Sequence, residues 1–228
     1  MKKRHGWMIL GALGMAICLA AGVFHPAKQI AAAPPPGMLI WIDLDLMRLT
    51  VYENGLETAR FPIAAGAEGT PSPVGVFSIN RKFTTSLSGF GTRFLGLNVP
   101  WGDYGIHGTN NPASIGSFAS HGCIRMRVKD AEALYRIAPY GTRVVIDGGA
   151  YGPLRGKMRT LREGDRGADV YLLQRRLIQR GFLQGNADGV FGPSTRQAVL
   201  TARKSLGLPL SDGADGALQQ KLGILPFE

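Results

Sequence analysis

The sequence predicts a mainly β domain, a β-sandwich or barrel with one or two helices, followed by a small all-α domain of three helices. Between residues 38 and 147, short apolar runs alternate with Gly, Pro and Asn-Gly turn signals, which is typical of an all-β sandwich or barrel. Beyond residue 160 the apolar spacing changes to that of helices. The 228 residues, 45% of them hydrophobic, suffice for one medium domain with its own core and a smaller second domain.

The first 37 residues are predicted to be a signal peptide or an N-terminal membrane anchor with a linker. Lys2, Lys3 and Arg4 precede an apolar run at 6–24 that carries no formal charge, which is the order of an export signal. The run is also about long enough to cross a bilayer, which takes roughly 20 residues. A cleaved signal and a retained membrane anchor both stay open, and either predicts an extracytoplasmic location in the cell wall or periplasm.

The β domain is predicted at 38–147. Residues 39–52 alternate apolar and polar side chains, which predicts a half-buried strand. Asn54-Gly55 then predicts a tight turn, so we expect a hairpin with the residues that follow. Further strands are predicted at 74–80, 94–99, 104–108 and 142–147.

One helix is predicted inside this domain. Asp130 stands where a helix N-cap is expected, and Pro139 stands where the helix ends. Leu134, Ile137 and Ala138 lie on one face at helical spacing. The helix therefore follows closely after the single cysteine of this domain.

A Gly-rich, basic stretch at 148–160 lacks apolar periodicity and is predicted to be a linker. The second domain, at 161–223, is predicted to form two helices and a short third one. Gly181 and Gly207 stand where the first two helices are expected to end. The apolar helix positions are Val170, Leu173 and Leu177 in the first helix and Ala198, Val199, Ala202 and Leu206 in the second.

The formal net charge of +10 is unevenly distributed along the chain. Residues 1–37 contain 4 basic and 0 acidic residues, 38–147 contain 10 and 9, and 148–228 contain 12 and 7. The basic surplus of the C-terminal part suits anionic wall polymers, or is an ordinary solvated face. Predicted export and the lack of a basic-aromatic motif argue against nucleic acid as a partner.

The stretch "ASHGCIRM" at 119–126 contains Cys123, the one cysteine outside the leading apolar segment. A thiolate attacks acyl carbons well, but a thiol with an ordinary pKa of about 8.5 needs a nearby base or a positive field. Outside the leader, only His107 and His121 are available as that base. His121 is the closer in sequence and His107 lies at the end of a predicted strand, so the residues alone leave both open.

The glycines beside the two histidines indicate that backbone groups contribute to the candidate site. Glycine lets the main chain approach a ligand, so the N–H groups of Gly122 and Cys123 are candidates for an oxyanion site. No Asp or Glu occurs from 104 to 129. A backbone carbonyl after His107 is therefore the expected partner that orients the imidazole.

Two other interpretations of Cys123 compete with that of a nucleophile. Two His and one Cys are acceptable zinc ligands, but no second Cys pair or His-x-x-x-His spacing supports a metal site, and neither a metal nor another cofactor is predicted. A lone Cys is also commonly a small buried hydrophobic residue. Arg125 suits a substrate carboxylate, or is an ordinary surface charge. What argues for chemistry is the density of such residues within six positions: Ser120, His121, Gly122, Cys123 and Arg125.

In these residues the chain resembles the L,D-transpeptidase (YkuD-type) family. The family pattern is a His-Gly pair, a gap of roughly a dozen or more residues, then Ser/Thr-His-Gly-Cys with an apolar residue and Arg or Asn. Here it reads His107-Gly108 and "SHGCIR" at 120–125, and the wider match covers about 38–147, including "TPSPVGVFSI" at 70–79. The resemblance implies Cys123 as nucleophile, His107 as proton acceptor and donor, and the Gly108 carbonyl as its orienting partner. It also implies that His121, Gly122 and the Cys123 N–H form the oxyanion site and its surroundings, with Ser120 in support.

The resemblance further implies an enzyme that acts on the peptide stems of peptidoglycan. The thiolate would attack the carbonyl of the third stem residue, release the terminal D-Ala, and pass the acyl group to an amine of a neighbouring stem, which makes a 3-3 crosslink. Water or a free D-amino acid as acceptor would give L,D-carboxypeptidase or exchange activity. A non-catalytic cell-wall-binding protein is a further alternative, against which the intact His107 and Cys123 argue.

The C-terminal block, from 161 to about 223, resembles the three-helix peptidoglycan-binding domain of wall hydrolases and transpeptidases. The match is strong up to residue 199. In the second helix the family usually shows an aromatic residue followed by Gln, where this chain has Thr201-Ala202-Arg203. The resemblance implies that this domain contacts peptidoglycan glycan.

Overall fold

The computed structural model describes residues 37–86, 89–149 and 158–224. The predicted leader, apart from its last residue, and most of the predicted linker lie outside these ranges. None of the helices in the described ranges is long and apolar enough to cross a membrane.

A mainly β part is followed by a helical part, as predicted. The β part also contains one α-helix and a 3-10 turn at Pro112–Ser114. The strands are β1 (Met38–Asp43), β2 (Arg48–Glu53), β3 (Leu56–Pro62), β4 (Ala65–Gly66), β5 (Gly75–Thr84), β6 (Arg93–Leu97), β7 (Tyr104–Thr109), β8 (Phe118–Ser120), β9 (Ile124–Arg127) and β10 (Arg143–Asp147). The helices are α1 (Val128–Ile137), α2 (Ala168–Gln179), α3 (Pro193–Ser205) and α4 (Gly216–Lys221).

Eight strands form one sheet in the order β3-β2-β1-β10-β5-β6-β7-β9. The sheet is nearly closed and barrel-like, which confirms the predicted sandwich or barrel. Strands β4 and β8 form a separate parallel pair. The residue before β4, Ala64, bridges to Arg125 of β9, so the small pair abuts the end of the large sheet.

The interior of the sheet is apolar because alternate strand residues point to one face. Ile40 and Ile42 of β1, Ile106 of β7 and Ile124 of β9 are all buried in one hydrophobic cluster. Helix α1 adds Leu134 to that cluster. This core fixes β7 and β9 side by side, and these two strands hold the predicted site.

The alternation at 39–52 forms two strands rather than the single one predicted. Strand β1 ends at Asp43 and β2 begins at Arg48. The Asp43 carboxylate accepts hydrogen bonds from the N–H groups of Asp45 (3.0 Å) and Leu46 (2.9 Å), which turns the chain. The predicted hairpin at Asn54-Gly55 is confirmed, because β2 and β3 pair antiparallel on either side of it.

Helix α1 begins three residues earlier than predicted. Its N-cap residue is Arg127, and Asp130 lies in the first turn, where a negative charge is favourable near the helix N-terminus. Leu134 and Ala138 are buried as expected. Ile137 is 41% exposed, because it ends the helix at the edge of the core.

The helical part has its own apolar core, built from α2, α3 and α4. The helix ends predicted at Gly181 and Gly207 are confirmed to within two residues. Buried Gln174 of α2 accepts from the N–H groups of Asp188 and Gly189 and donates to Thr195 Oγ1 at 3.0 Å. This amide therefore ties α2 to α3 and to the loop between them.

Candidate active site

The pairing of β7 with β9 brings the predicted site residues together. The two strands are parallel, and His107 is the register partner of Arg125. Ile106 and Ile124, the neighbouring register pair, point into the core. Alternation therefore directs His107 and Arg125 to the opposite face. Cys123 lies in the bend just before β9, and a hydrogen bond from the Gly105 backbone places it beside β7.

The imidazole of His107 is oriented by the next residue. Its Nδ1 lies 2.6 Å from the carbonyl oxygen of Gly108. A carbonyl oxygen can only accept a hydrogen bond, so Nδ1 carries the proton and Nε2 keeps its lone pair. This is the backbone carbonyl contact that the absence of nearby carboxylates predicts.

Two aromatic rings enclose His107, which is 3% exposed. The Phe90 ring meets the imidazole edge-on at 4.8 Å between centroids, and the Phe94 ring stacks on it at 5.8 Å. Burial lowers the pKa of His107, the Gly108 carbonyl opposes this, and the charge of Arg125 lowers it further. The imidazole is therefore neutral at neutral pH and is ready to accept a proton.

The thiol of Cys123 is half-buried and has no disulfide partner. Burial raises the pKa of Cys123, while a hydrogen bond from the Gly105 backbone and the charge of Arg125 oppose that rise. At neutral pH the thiol of Cys123 is thus protonated and the imidazole of His107 is neutral.

Ser120 holds the turn that carries the cysteine. Its Oγ donates to the carbonyl of Cys123 at 2.6 Å and accepts from the N–H of Gly122 at 3.0 Å. The Ser120 carbonyl accepts from the N–H of Ala67 (2.9 Å) and from Thr70 Oγ1 (3.0 Å). The segment "AGAEGT" at 65–70 therefore braces the nucleophile turn.

The two histidines that the sequence left open as bases lie in different surroundings. His107 is buried between aromatic rings, whereas His121 is exposed and lines a groove with Tyr104. Gly122, between His121 and the cysteine, has φ +112°, and a Cβ there would lie 2.6 Å from the Tyr104 ring. Glycine is thus required at this position by both backbone conformation and space.

The charge of Arg125 acts on both His107 and Cys123. Its Nη1 donates to the carbonyl of Ala119 at 3.2 Å, and its Nε is buried without a hydrogen-bond partner in the described part of the chain. A buried unpaired donor carries a free-energy cost that a bound anion or carbonyl removes. Within the described ranges, no group of three or more His, Cys, Asp or Glu side chains is arranged to hold a metal ion.

Sequence reasoning did not identify the aromatic residues around the site. Phe94 is the register partner of His107 on β6, a relationship that depends on strand pairing and leaves no mark in local sequence. Phe90 comes from the loop before β6. The sequence feature that could have indicated an aromatic enclosure is the group of three phenylalanines, Phe83, Phe90 and Phe94, shortly before the predicted strand that contains His107.

Comparison with known proteins agrees with this geometry. The family model of the L,D-transpeptidase catalytic domain matches residues 37–146, and that of a peptidoglycan binding domain matches residues 166–222. L,D-transpeptidase YkuD of Bacillus subtilis (strain 168) is 43% identical over 108 residues, which cover 47% of this chain and 65% of that protein. L,D-transpeptidase YqjB of the same strain is 35% identical over 146 residues, which cover 57% of this chain and 83% of that protein.

A solved L,D-transpeptidase from Mycobacterium smegmatis is similar at 21% identity with a TM-score of 0.43, over 49% of this chain and 58% of that one. That overlap is too limited to add to the assignment. The two family models and the extent of the match to YqjB are sufficient. The chain belongs to the L,D-transpeptidase (YkuD-type) family and contains a peptidoglycan-binding domain after the catalytic domain.

Proposed function

We propose that this chain is a cysteine L,D-transpeptidase that crosslinks peptidoglycan stems outside the cytoplasmic membrane. The observation that carries the proposal is the His107 Nδ1 to Gly108 carbonyl contact of 2.6 Å, which leaves Nε2 as a proton acceptor. The charge of Arg125 acts on both Cys123 and this base, and the Gly105 backbone of the strand that carries His107 donates a hydrogen bond to Cys123. Family membership supports peptidoglycan as the substrate.

In the first half-reaction, Cys123 Sγ attacks the carbonyl carbon of the third stem residue while His107 Nε2 takes the thiol proton. The tetrahedral intermediate collapses as its C–N bond breaks, and the imidazolium gives the proton to the departing amine of D-Ala. A thioester remains on Cys123. Direct proton transfer suits a thiol with a raised pKa beside an imidazole with a lowered pKa, because both begin neutral.

In the second half-reaction, an amine of a neighbouring stem attacks the thioester carbonyl. His107 Nε2 removes a proton from the attacking nitrogen and returns it to the departing sulfur, so a new amide forms and the free thiol is restored. Water in place of the amine gives a shortened stem, which is L,D-carboxypeptidase activity.

The oxyanion of each tetrahedral intermediate is assigned to the Cys123 N–H. The Gly122 N–H donates to Ser120 Oγ at 3.0 Å, so its predicted part in the oxyanion site requires that hydrogen bond to open. Ser120 and His121 are assigned supporting parts around the turn. Arg125, with its buried unpaired Nε, is assigned to a polar group of the bound stem.

The parts at either end of the chain complete the proposal. The N-terminal segment is assigned to export as a signal or a membrane anchor, and residues 38–147, 148–160 and 161–223 to catalysis, linkage and wall binding. The C-terminal surplus of basic residues is assigned to the anionic surface of the wall.

The test is incubation of the purified protein with disaccharide-tetrapeptide, followed by mass spectrometry of the products. A crosslinked dimer supports transpeptidation, and a tripeptide without dimer replaces it with carboxypeptidase activity. Cys123→Ser should abolish both products, and a carbapenem, used as a strained acyl donor, should add its mass at Cys123 in the wild type only. Absence of any product together with an unlabelled Cys123 would overturn the enzyme assignment.

The two histidines provide a matched pair of variants. His107→Ala should lose acylation by several orders of magnitude, because a general base contributes about 10²- to 10⁴-fold. His121→Ala should retain most of the acylation rate. The reverse order would reassign the base.

A further inference from the structure

The helical domain packs directly on the catalytic domain, beside the nucleophile turn. Trp101 of the catalytic domain is 4% exposed, and its ring lies 5.4 Å from the ring of Tyr171 on α2. Gly189 of the helical domain approaches so closely that a Cβ there would lie 2.4 Å from the Trp101 ring. Ala168 and Val190 also pack against the catalytic core. The two domains thus share one apolar contact.

A groove of about 870 Å³ lies along this contact, which is within the usual size of a ligand site, about 300–1,000 Å³. One wall is formed by the residues at 68–74 together with Tyr104, Phe118 and His121 of the catalytic domain. The other wall contains Arg159 and the residues at 166–169 of the helical domain.

The groove runs beside the turn that carries Cys123. Tyr104 and His121 line it, and Gly122, whose Cα faces the Tyr104 ring, directly precedes Cys123. Burial raises the pKa of Tyr104, the charge of an ionised Cys123 raises it further, and Arg166 lowers it. The charges of both Cys123 and Arg166 therefore act on the Tyr104 hydroxyl.

The two arginines that line the groove, Arg159 and Arg166, differ in their ion-pair partners. Arg159 is held by the carboxylates of Asp165 (2.7 Å) and Asp169 (2.8 Å). Arg166 is exposed and makes no ion pair with any residue in the described ranges. Its guanidinium is thus the cation of this groove that a ligand can engage, and a carboxylate is the planar anion that it fits best.

Part of the remaining surface of the groove is apolar. Pro71, Pro73 and Val74 form an apolar wall, and Phe118 presents a ring that is 45% exposed. The lining also contains the charged side chains Asp45, Glu68, Arg159 and Asp169, of which Arg159 and Asp169 pair with each other, so Arg166 is the cation that a ligand can engage.

We propose that this groove binds the carboxylate-bearing part of a peptidoglycan stem whose reacting carbonyl lies at Cys123, with Arg166 pairing with that carboxylate. The inference rests on the proposed function. It makes the helical domain one wall of the active-site cleft, so the domain contributes to the choice of stem as well as to attachment to the wall. Arg166 is a specificity-determining residue and takes no part in the bond-making steps.

The test compares two tetrapeptide stems that differ only in whether the carboxylates other than the C-terminal one are free or amidated. The wild type should have a KM about 3- to 10-fold lower for the free stem, the size expected of a partly exposed charge-assisted pair. Arg166→Gln should bring the two KM values together with kcat unchanged, and Arg166→Lys should restore part of the difference. Arg175→Gln, an exposed arginine of α2 outside the groove, is the matched control and should behave as wild type.

Tyr171→Ala removes the ring that packs on Trp101 and leaves Arg166 in place. It should reduce the same KM ratio, and an unchanged ratio would contradict the shared groove. Equal KM values for the two stems in the wild type, or an Arg166→Gln protein that keeps the difference, would overturn the role of Arg166.

Carbapenem acylation of Cys123 is the separate control for the proposed function. If the wild type is not acylated, the proposed function is wrong. If wild type and Arg166→Gln are acylated at the same rate, a difference between them in KM belongs to the groove. Competition by a glycerol-phosphate polymer without any stem preference would assign the groove to anionic wall polymers instead.

Discussion

Phe94 and His107 are register partners on the antiparallel strands β6 and β7, and their rings stack at 5.8 Å with an angle of 9° between planes. Phe90 closes the edge of the same imidazole at 4.8 Å. The apolar rings disfavour the charged imidazolium, so the pKa of His107 lies below its ordinary value of 6.5. The sheet register thus sets the protonation state of the base.

The pH dependence of acylation should move when Phe90 is removed. Neutral imidazole is the active form, so the rate falls as the pH drops through the pKa of His107, and in the wild type this acid limb should lie below pH 6.5. Phe90→Ala admits water, raises the pKa and moves the limb to higher pH. The measurement is the rate of carbapenem acylation across pH. Phe83→Ala, whose ring stacks on Phe94 at 4.9 Å, is the control, and the idea fails if both variants shift the limb equally.

The charge of Arg125 lowers the pKa of both His107 and Cys123. Arg125→Met removes that charge, so both pKa values should rise. Alkylation of Cys123 by iodoacetamide, followed by peptide mass spectrometry, should then require a higher pH than in the wild type. Arg127→Met, at an exposed position on the same strand, is the matched control. A shift of the alkylation midpoint in the opposite direction would show that Arg125 does not act through its charge.

Alanine at Gly122 should damage the site far more than alanine at Gly116. Both glycines have left-handed φ angles, +112° and +92°, so each substitution costs about 1 kcal/mol of backbone strain. A Cβ at 122 also meets the Tyr104 ring at 2.6 Å, whereas nothing lies within 4 Å of one at 116. Displacing the nucleophile turn by about 1 Å should cost on the order of 100-fold in acylation.

Thermal unfolding and carbapenem acylation of the two variants check this prediction. Gly116→Ala should lose stability alone, and Gly122→Ala should lose both stability and acylation rate. Equal acylation by the two proteins would mean that Tyr104 yields without moving the cysteine.

Short-range sequence patterns were sufficient to predict the fold class and to locate the motif residues. Period-two and 3.6-residue spacing predicted the mainly β domain and the helices after it, because burial of one face depends on local alternation. Cys123 was singled out from the residues alone, whereas His107 and Gly108 were assigned by the resemblance to a family motif, and the roles of all three stay predictions. The contact between His107 Nδ1 and the Gly108 carbonyl followed from the lack of carboxylates nearby.

Features that depend on packing between distant segments were missed. The strand break after Asp43 depends on a side-chain hydrogen bond that alternating hydrophobicity does not encode. Phe94 reaches His107 through strand register, and Trp101 reaches Tyr171 through the contact between domains. Such relationships join residues far apart in the chain, so a single sequence leaves them undetermined.

The departure from the family pattern at 201–203 has a structural consequence in Arg203. Its side chain is 4% exposed, and its Nε donates to the Pro209 carbonyl at 2.6 Å. Its Nη1 donates to the Gly213 carbonyl (3.1 Å) and meets Asp215 at 3.0 Å. The arginine therefore fixes the loop that leads into α4.

Replacing Arg203 should destabilise the helical domain through the carbonyl groups that it leaves behind. Arg203→Met keeps the apolar stem but removes the donor to the Pro209 and Gly213 carbonyls, of which the contact with Gly213 is buried. A buried unpaired acceptor costs about 1–3 kcal/mol, so we expect a loss of about 2 kcal/mol in the free energy of unfolding. Urea denaturation at neutral pH measures it. Lys204→Met, at the next and exposed position, should change stability by less than about 0.5 kcal/mol.

The same variant has a defined pH dependence. A hydrogen bond from Arg203 lowers the pKa of Asp215 below its ordinary value of 3.8, so this part of the stability is present above pH 3.8 and is lost as the pH falls through the folded-state pKa. The difference between wild type and Arg203→Met should shrink in acid but persist in part, because the two carbonyls do not titrate. If the difference in unfolding free energy between wild type and Arg203→Met is constant from neutral pH down to pH 3, Asp215 contributes nothing to it. If Lys204→Met loses as much stability as Arg203→Met, the loss is not specific to the contacts of Arg203.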